Sequence, residues 1–487
     1  MSLLYVASLG SGLLLLDLGL RLLALIYVPP NRRPTAAMAW LLAIFFIPVL
    51  GGLLFLLIGN PKLPRHRLHK QEEMDDVIAE HAAQSPEPDT SQWPEWVAGV
   101  VRMNEEHTAM PLLADNRGSL IGDYAESLDA MAQEIAGART YVHVEFYILS
   151  LDESTSPFFD ALEAAVERGV TVRVLLDHWA SSHCRDYKAT IARLDAMGAQ
   201  WHLMLPVQPL KGRYQRLDLR NHRKLLVVDG RTAFIGSQNL IDRTYNKKGN
   251  ISRGLKWQDL MTRIEGPVVA SVDLVFATDW YMESGERLPA TDPPSVTATT
   301  PAGELLECQL VPSGPGYPVE NNLQLFLSLL YAARERVAVT SPYFVPEESM
   351  LRGIMAAIAR GVTVELFVSE IGDQALVWHA QRSYYASLLD AGMRIYQYPA
   401  PYILHAKHFS IDDDVAVIGS SNMDMRSFGL NCEVSLMVRS RHYVEQMRRV
   451  EDEYRSISTE LTAQQWAMEP TRRTVVDGLA RLTSALQ

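Results

Sequence analysis

The sequence predicts an α/β protein of two halves related by a pseudo-twofold axis, each a set of βαβ units with a mixed sheet flanked by helices, behind a two-helix transmembrane hairpin. Three observations carry that reading. Segments of the first half recur in the second in the same order, a polar motif HxKx4Dx6GSxN occurs at both His222 and His405, and two long apolar stretches open the chain. The boundaries that follow are a hairpin over 1–60, a juxtamembrane arm over 61–117, a first half over 118–290, and a second half with its tail over 291–487.

The apolar stretches run from Leu3 to Val28 and from Ala36 to Gly59. About 23 helical residues cover roughly 34 Å, enough for a hydrocarbon core of about 30 Å. The second stretch is uncharged. The first holds Asp17 and Arg21 four residues apart, where they can pair on one helical face. A cleaved signal peptide fits less well, because "MSLLYVASLG" has no basic start and no A-x-A site precedes Pro29. "PPNRRPT" carries two Arg between the stretches, and Lys62, Arg65, Arg67 and Lys70 follow the second. The larger basic excess predicts that the N-terminus and the main body face the cytoplasm, with the chain multi-pass in the cell membrane.

Gln71 to Pro94 is acidic and contains prolines, and reads as a linker or partly ordered arm. Trp93 and Trp96 read as packing at a domain edge, with lipid-interface docking as the alternative.

The repeat decides the fold. "ARTYVHVEFYI" from Ala138 answers "ARERVAVTSPYFV" from Ala333, and "ALEAAVERGVTVRVLLD" from Ala161 answers "GIMAAIARGVTVELFVS" from Gly353. "LDAMGAQWHLM" from Leu194 then matches "LLDAGMRIYQY" from Leu388. The Arg-Gly before the second strand of each half stops a helix ahead of a β-branched run, as in βαβ units. Pro289 to Pro312 reads as the connection between halves.

Composition narrows the function. A formal net charge of -12 over 487 residues lacks the basic footprint of a nucleic-acid binder. Three cysteines without CxxC spacing give neither a disulfide framework nor a metal site. In each motif copy His and Lys share one strand face, and the Asn returns after a tight Gly-Ser turn. Bringing the copies together collects His222, His405, Lys224, Lys407, Asn239 and Asn422 around one point. Such a cluster is self-repulsive unless a tetrahedral anion fills it, and a phosphodiester does. One His can attack phosphorus while the other protonates the leaving oxygen, with no metal or cofactor required. Ser237 and Ser420, at the turns, are candidate substrate-binding groups beside Asn239 and Asn422. Glu433 and Asp259, each heading or ending an apolar strand, are expected to orient the histidines through the far ring nitrogen. Asp229 and Asp412 complete the motif and join the candidate catalytic set. Lying beyond an apolar tetrad, they read better as turn anchors.

"HRKLLVVD…GSQN" and "HAKHFSID…GSSN" resemble the paired HKD motifs of the phospholipase D superfamily. With the opening hairpin, "RRPTAAMAWLL", "TSPYFVPEE", "VPSGPG" and "SNMDMRSFGLNCEVSL", the whole chain resembles the bacterial cardiolipin synthases. That resemblance implies phospholipase D-like halves and transfer of a phosphatidyl group between two phosphatidylglycerol molecules, giving cardiolipin and glycerol. It implies membrane phospholipids as partners and no nucleic acid, and leaves the oligomeric state open. His222 matches the nucleophile that would form a phosphatidyl-histidine, His405 the acid and then the base, and Lys224, Lys407, Asn239 and Asn422 the phosphate-binding positions. The rival readings are a hydrolase or transphosphatidylase with another donor or acceptor, and a non-catalytic lipid-binding scaffold. The basic run Lys211 to Lys224 reads as a rim facing anionic lipid, or as an exposed charged loop. The tail, "TRRTVVDGLARLTSALQ", reads as a packed terminal helix, with a membrane-surface helix as the alternative.

Overall fold

The computed structural model describes residues 2–30, 32, 34–59, 63–85, 88–91, 93–208, 211, 213–289, 304–317 and 319–484. Most of the connection expected between Pro289 and Pro312, and part of the basic run that begins at Lys211, lie outside the described residues. Two compact units result, one of residues 1–62 with 216–218 and one of everything else.

In the small unit, helix Ser2–Tyr27 is followed by helices Pro34–Phe46 and Pro48–Ile58. The second expected span is thus two helices, broken at Ile47 (φ -134°, ψ 70°) with Pro48 at the start of the next. Proline has no N–H to continue the ladder and pushes the preceding residue out of the α region. Among the described residues no helix is long and apolar enough to cross a membrane. Asp17 and Arg21 pair at 2.8 Å, as the spacing predicts. Arg32 donates to the carbonyls of Val28 (2.7 Å) and Gly59 (2.6 Å), satisfying two helix C-termini with one guanidinium.

The large unit is built on a fifteen-stranded sheet with the repeat written in its order. From one edge the first half runs Gln200–Met204, Thr171–Asp177, Tyr141–Phe146, Lys224–Val228, Thr232–Gly236, Met261–Glu265, Leu112–Ile121. From the other side, inside an edge strand Thr459–Leu461, the second half runs Arg394–Tyr398, Thr363–Ser369, Arg336–Thr340, His408–Ile411, Val415–Gly419, Glu433–Arg439, Leu306–Ser313. The two orders are the same. They meet where Leu112 and Leu113 pair antiparallel with Gln309 and Cys308. Each half keeps parallel βαβ strands outside and antiparallel motif strands inside, so the sheets are mixed as expected.

Lys224–Val228 and Thr232–Gly236 are buried along their whole length. That explains why these strands read as apolar runs rather than alternating ones. Helix Val268–Ser284 covers this part of the sheet and is itself buried from Val268 to Trp280.

Helix Arg65–Gln84 takes up residues 71–84 of the stretch read as a linker, and helix Glu95–Thr108 follows that stretch. Arg67 bonds Glu283 at 2.7 Å, Lys70 donates to the Tyr281 carbonyl at 2.8 Å, and the Tyr281 hydroxyl donates to Glu73 at 2.7 Å. Trp93 and Trp96 pack against the second-half core, and Trp93 Nε1 donates to Glu307 at 3.0 Å. Strand Leu112–Ile121 runs across the expected boundary at 118.

Candidate active site

The two motif strands reach each other through exchanged pairings. Tyr402–Leu404 pairs in parallel with Lys256–Gln258, setting Leu404 opposite Gln258. A parallel bridge sets Asn221 opposite Cys432, with His222 N–H donating to the Cys432 carbonyl at 2.8 Å. Each pairing lies one residue before a histidine on one side and one residue before a carboxylate on the other. His222 Nδ1 therefore meets both oxygens of Glu433, at 2.9 and 3.0 Å, and His405 Nδ1 meets Asp259 at 2.6 Å. Both expected orienting carboxylates stand at a far ring nitrogen, and each comes from the opposite half.

The Gly-Ser turns hold those carboxylates. Ser237 donates to Asp259 at 2.7 Å and Ser420 to Glu433 at 2.5 Å, while each hydroxyl accepts the next backbone N–H, Leu260 or Val434, at 3.0 Å. Both serines are fully buried behind the histidines. Their expected substrate-binding role is corrected: a hydroxyl with its proton and its acceptor both committed inward is a support. The glycine before each is required by close approach. A Cβ on Gly236 would stand 2.3 Å from the Leu260 carbonyl oxygen, and one on Gly419 2.2 Å from that of Val434.

Lys224 and Lys407 are buried beside their histidines. Lys224 donates to the His222 carbonyl at 2.6 Å; Lys407 donates to the His405 carbonyl at 2.7 Å and reaches His405 Nε2 at 3.0 Å. With Lys407 donating there, His405 is neutral with its proton on Nδ1, toward Asp259. Burial, then Lys224, Lys407 and His405, hold the His222 imidazole well below its ordinary value. Burial and Lys407 likewise lower His405, against the pull of Asp259. Burial and Lys407 push Lys224 well down, and burial brings Lys407 to about 8 even with Asp259 and Glu433 nearby. Groups from both halves thus depress one another, the electrostatic mark of a shared site.

The carboxylates differ. Burial carries Glu433 up to about 7 against Lys224 and Ser420. Burial also pushes Asp259 upward, but His405, Lys407 and Ser237 outweigh it and leave the carboxyl below its usual range.

The carboxamides differ too. Asn239 donates to the Tyr245 hydroxyl at 2.8 Å and accepts the Ile148 N–H at 3.1 Å. Asn422 Oδ1 is buried with no hydrogen-bond partner among the described residues. Among those residues no group of three or more His, Cys, Asp and Glu side chains could hold a metal ion.

Asp229 and Asp412 leave the catalytic set. Four strand residues lie between Lys224 and Asp229, which puts them roughly 17 Å of chain apart. Its carboxylate accepts backbone N–H groups of Arg139, Thr140 and Tyr141 at 2.7–3.0 Å and the Thr140 hydroxyl at 2.6 Å. Asp412 accepts those of Arg334, Glu335 and Arg336 at 2.8–3.0 Å. Both take positive φ, 52° and 46°. Asparagine or aspartate tolerates that conformation best after glycine, as turn anchors must.

Sequence reasoning missed the groups around the histidines. The Tyr147 ring meets His222 edge-on at 4.8 Å and lies 5.2 Å from Lys224 Nζ; Tyr245 stands 6.5 Å from His405. Arg223, on the opposite strand face from His222, makes a buried ion pair with Asp279 and donates from Nε to the Glu433 carbonyl at 3.1 Å. Its neighbour Asn221 donates to the buried Glu145 at 2.8 Å. The second copy has only Ala406 and Leu404 in these places. That difference, HRK against HAK, was the available signal.

A family model described as "Cardiolipin synthase, PLD-like domain" matches residues 131–266 and 326–455, once in each half. The chain belongs to this family. A second model, the phospholipase D-nuclease N-terminal segment, matches residues 19–60. Cardiolipin synthase A of Pectobacterium carotovorum subsp. carotovorum (strain PC1) is 31% identical over 98% of this chain and 97% of its own length. That of Proteus mirabilis (strain HI4320) is 30% identical over 94% of each chain. The crystal structure of phosphatidylserine synthase from Haemophilus influenzae Rd KW20 shares the fold, with a TM-score of 0.59 over 80% of this chain and all of its own, at 14% identity.

Proposed function

We propose that the protein is a cardiolipin synthase that moves a phosphatidyl group from one phosphatidylglycerol to the terminal hydroxyl of another. Membership of the family and the full-length relatives support the phosphatidyltransferase activity of phospholipase D type. The observation that carries the two-histidine mechanism is the crossed pairing, His222 with Glu433 and His405 with Asp259, around two buried lysines.

In the first step His222 Nε2 attacks phosphorus, the P–N bond forms, and the bond to the glycerol headgroup breaks. His405 gives that oxygen its proton. The arriving phosphate restores proton affinity to both lysines and to His405, which Asp259 holds as the imidazolium partner. Lys224 and Lys407 then neutralise the equatorial oxygens as charge builds there, and the Asn422 NH2 donates a hydrogen bond to one of them. In the second step His405 takes the proton of the acceptor hydroxyl, the new P–O bond forms, and the P–N bond breaks. The sum is two phosphatidylglycerols to one cardiolipin and one glycerol. His222 takes the nucleophile role because Lys224 turns to the His222 carbonyl, whereas Lys407 covers the His405 Nε2.

Residues 1–60 are read as the membrane anchor, with the catalytic unit on the cytoplasmic side. Leu15, Leu16, Phe46, Val49 and Leu56 support the anchor, each 70–80% exposed. Anchoring confines enzyme and lipid to one surface and raises their effective concentration.

The test is incubation of the reconstituted full chain with phosphatidylglycerol alone. Cardiolipin and glycerol in equal amounts are expected. Phosphatidic acid as the sole lipid product would mean a hydrolase, and an unchanged lipid pool a scaffold.

A further inference from the structure

The C-terminal helix Thr471–Arg481 is packed the wrong way round for a helix in water. Its buried residues are Asp477 and Ala480. Asp477 meets His379 at 2.6 Å and Arg382 at 3.3 Å, both on helix Ala375–Arg382. Its outward face is apolar: Val475, Val476, Leu479 and Leu482 are 45–80% exposed, and their i, i+1, i+4, i+7 spacing makes one stripe. Exposed Met468 precedes the stripe, and exposed Leu376 stands on the supporting helix. Arg472 is exposed one turn before Val476, Arg473 bonds Glu469 at 3.2 Å, and Arg481 lies over Tyr384.

The supporting helix of this pair begins beside the strand that leads into His405. Ser369 accepts the N–H of Leu404, the residue before His405, at 2.8 Å. Gly372, Asp373, Gln374 and Trp378 then line a small cavity with Ile403, and Gln374 leads into helix Ala375–Arg382.

We propose that this outward face docks on an anionic phospholipid bilayer and sets the His405 side of the rim against it. A soluble helix gains nothing by turning its aliphatic stripe to water, whereas the acyl boundary of a bilayer covers it. The arginines on and beside the stripe complement lipid phosphates, on a chain whose formal net charge is -12. A second copy is the weaker occupant, because self-packing sets an arginine-bearing face against an identical one, like charge against like. The statement about the rim rests on the reading that the substrate is a bilayer lipid; the statement about the helix does not.

The full-length protein carrying Leu479→Cys with an environment-sensitive dye, referenced to equally treated protein without the substitution, reads the contact independently of catalysis. Reconstituted in vesicles of phosphatidylglycerol and phosphatidylcholine, the dye should shift to the blue and resist aqueous quenchers. In phosphatidylcholine alone, or with Arg472→Glu added, the shift should shrink by at least half. A water-like spectrum in every vesicle, or a shift that follows protein concentration in detergent without lipid, would overturn the proposal, the latter in favour of a second copy. As a second arm, Val476→Glu with Leu479→Glu should lower turnover of vesicle lipid at least tenfold and leave turnover of a short-chain, monomeric phosphatidylglycerol unchanged. An equal loss on both substrates would also overturn it.

Discussion

Replacing Glu433 by Gln tests the orienting pair with almost no change of volume. Glu433 is fully buried, accepts from Ser420 at 2.5 Å, and faces His222 Nδ1 with both oxygens. The Ser420 hydroxyl already accepts the Val434 N–H, so its proton stays directed at the new side chain and selects the carboxamide oxygen. The amide NH2 is then left toward His222, where it donates to Nδ1 and moves the ring proton to Nε2. The attacking lone pair is lost. Imposing the wrong tautomer in this way costs roughly 10⁴ in turnover where a triad carboxylate is made an amide, which corresponds to about 5.4 kcal/mol of barrier. Substrate affinity should change little, since Glu433 sits behind the histidine. The assay is the rate of cardiolipin and glycerol release at saturating phosphatidylglycerol, with circular dichroism to confirm the fold. A Glu433→Gln protein within tenfold of wild type would refute the orienting role.

Other groups give further outcomes. Glu433 works as the carboxylate and its proton affinity is raised to about 7, so kcat/KM should climb with pH through about 7; Lys407 works as the ammonium and is lowered to about 8, so the rate should fall above about 8. Lys407→Arg, which cannot lose its charge, should peak lower and shift the alkaline limb to the one Lys224 sets; a wild-type profile still rising at high pH would contradict this. Asp229→Asn and Asp412→Asn should each lower the melting temperature, at a cost of about 1–2 kcal/mol from weakened hydrogen bonds to the carboxylate, while keeping activity per folded molecule near wild type. Asp279→Asn leaves Arg223 charged and unpaired in the core, and should cost about 3–5 kcal/mol of stability by denaturant titration; the same variant with Arg223→Met should recover much of it.

The two-half architecture was legible because duplication writes itself as repeated segments, and the doubled motif marked all six His, Lys and Asn positions. The partner of each histidine was not. Sequence order places Glu433 in the half of His405, but Glu433 serves His222, because the exchanged pairings at Asn221–Cys432 and Leu404–Gln258 are fixed only when the halves meet. Ser237 and Ser420 were misread for a similar reason: a turn serine looks available until the carboxylate it holds is seen behind it. The charged helix Arg65–Gln84 read as a linker because its partners, Tyr281 and Glu283, lie about two hundred residues later. Pro48 was a readable helix break that the apolar character of its surroundings obscured. Asp229, read both as part of the motif and as a turn anchor, has its carboxylate on three backbone N–H groups.

One measurement bears on the centre of the mechanism. The reconstituted protein is mixed with phosphatidylglycerol, quenched in alkali within a turnover, and digested for mass spectrometry. A phosphatidyl adduct is expected on His222, none on His405, and the adduct should accumulate in Lys407→Arg or whenever the second step slows. An adduct on His405, or undiminished turnover by His222→Ala, would contradict the account.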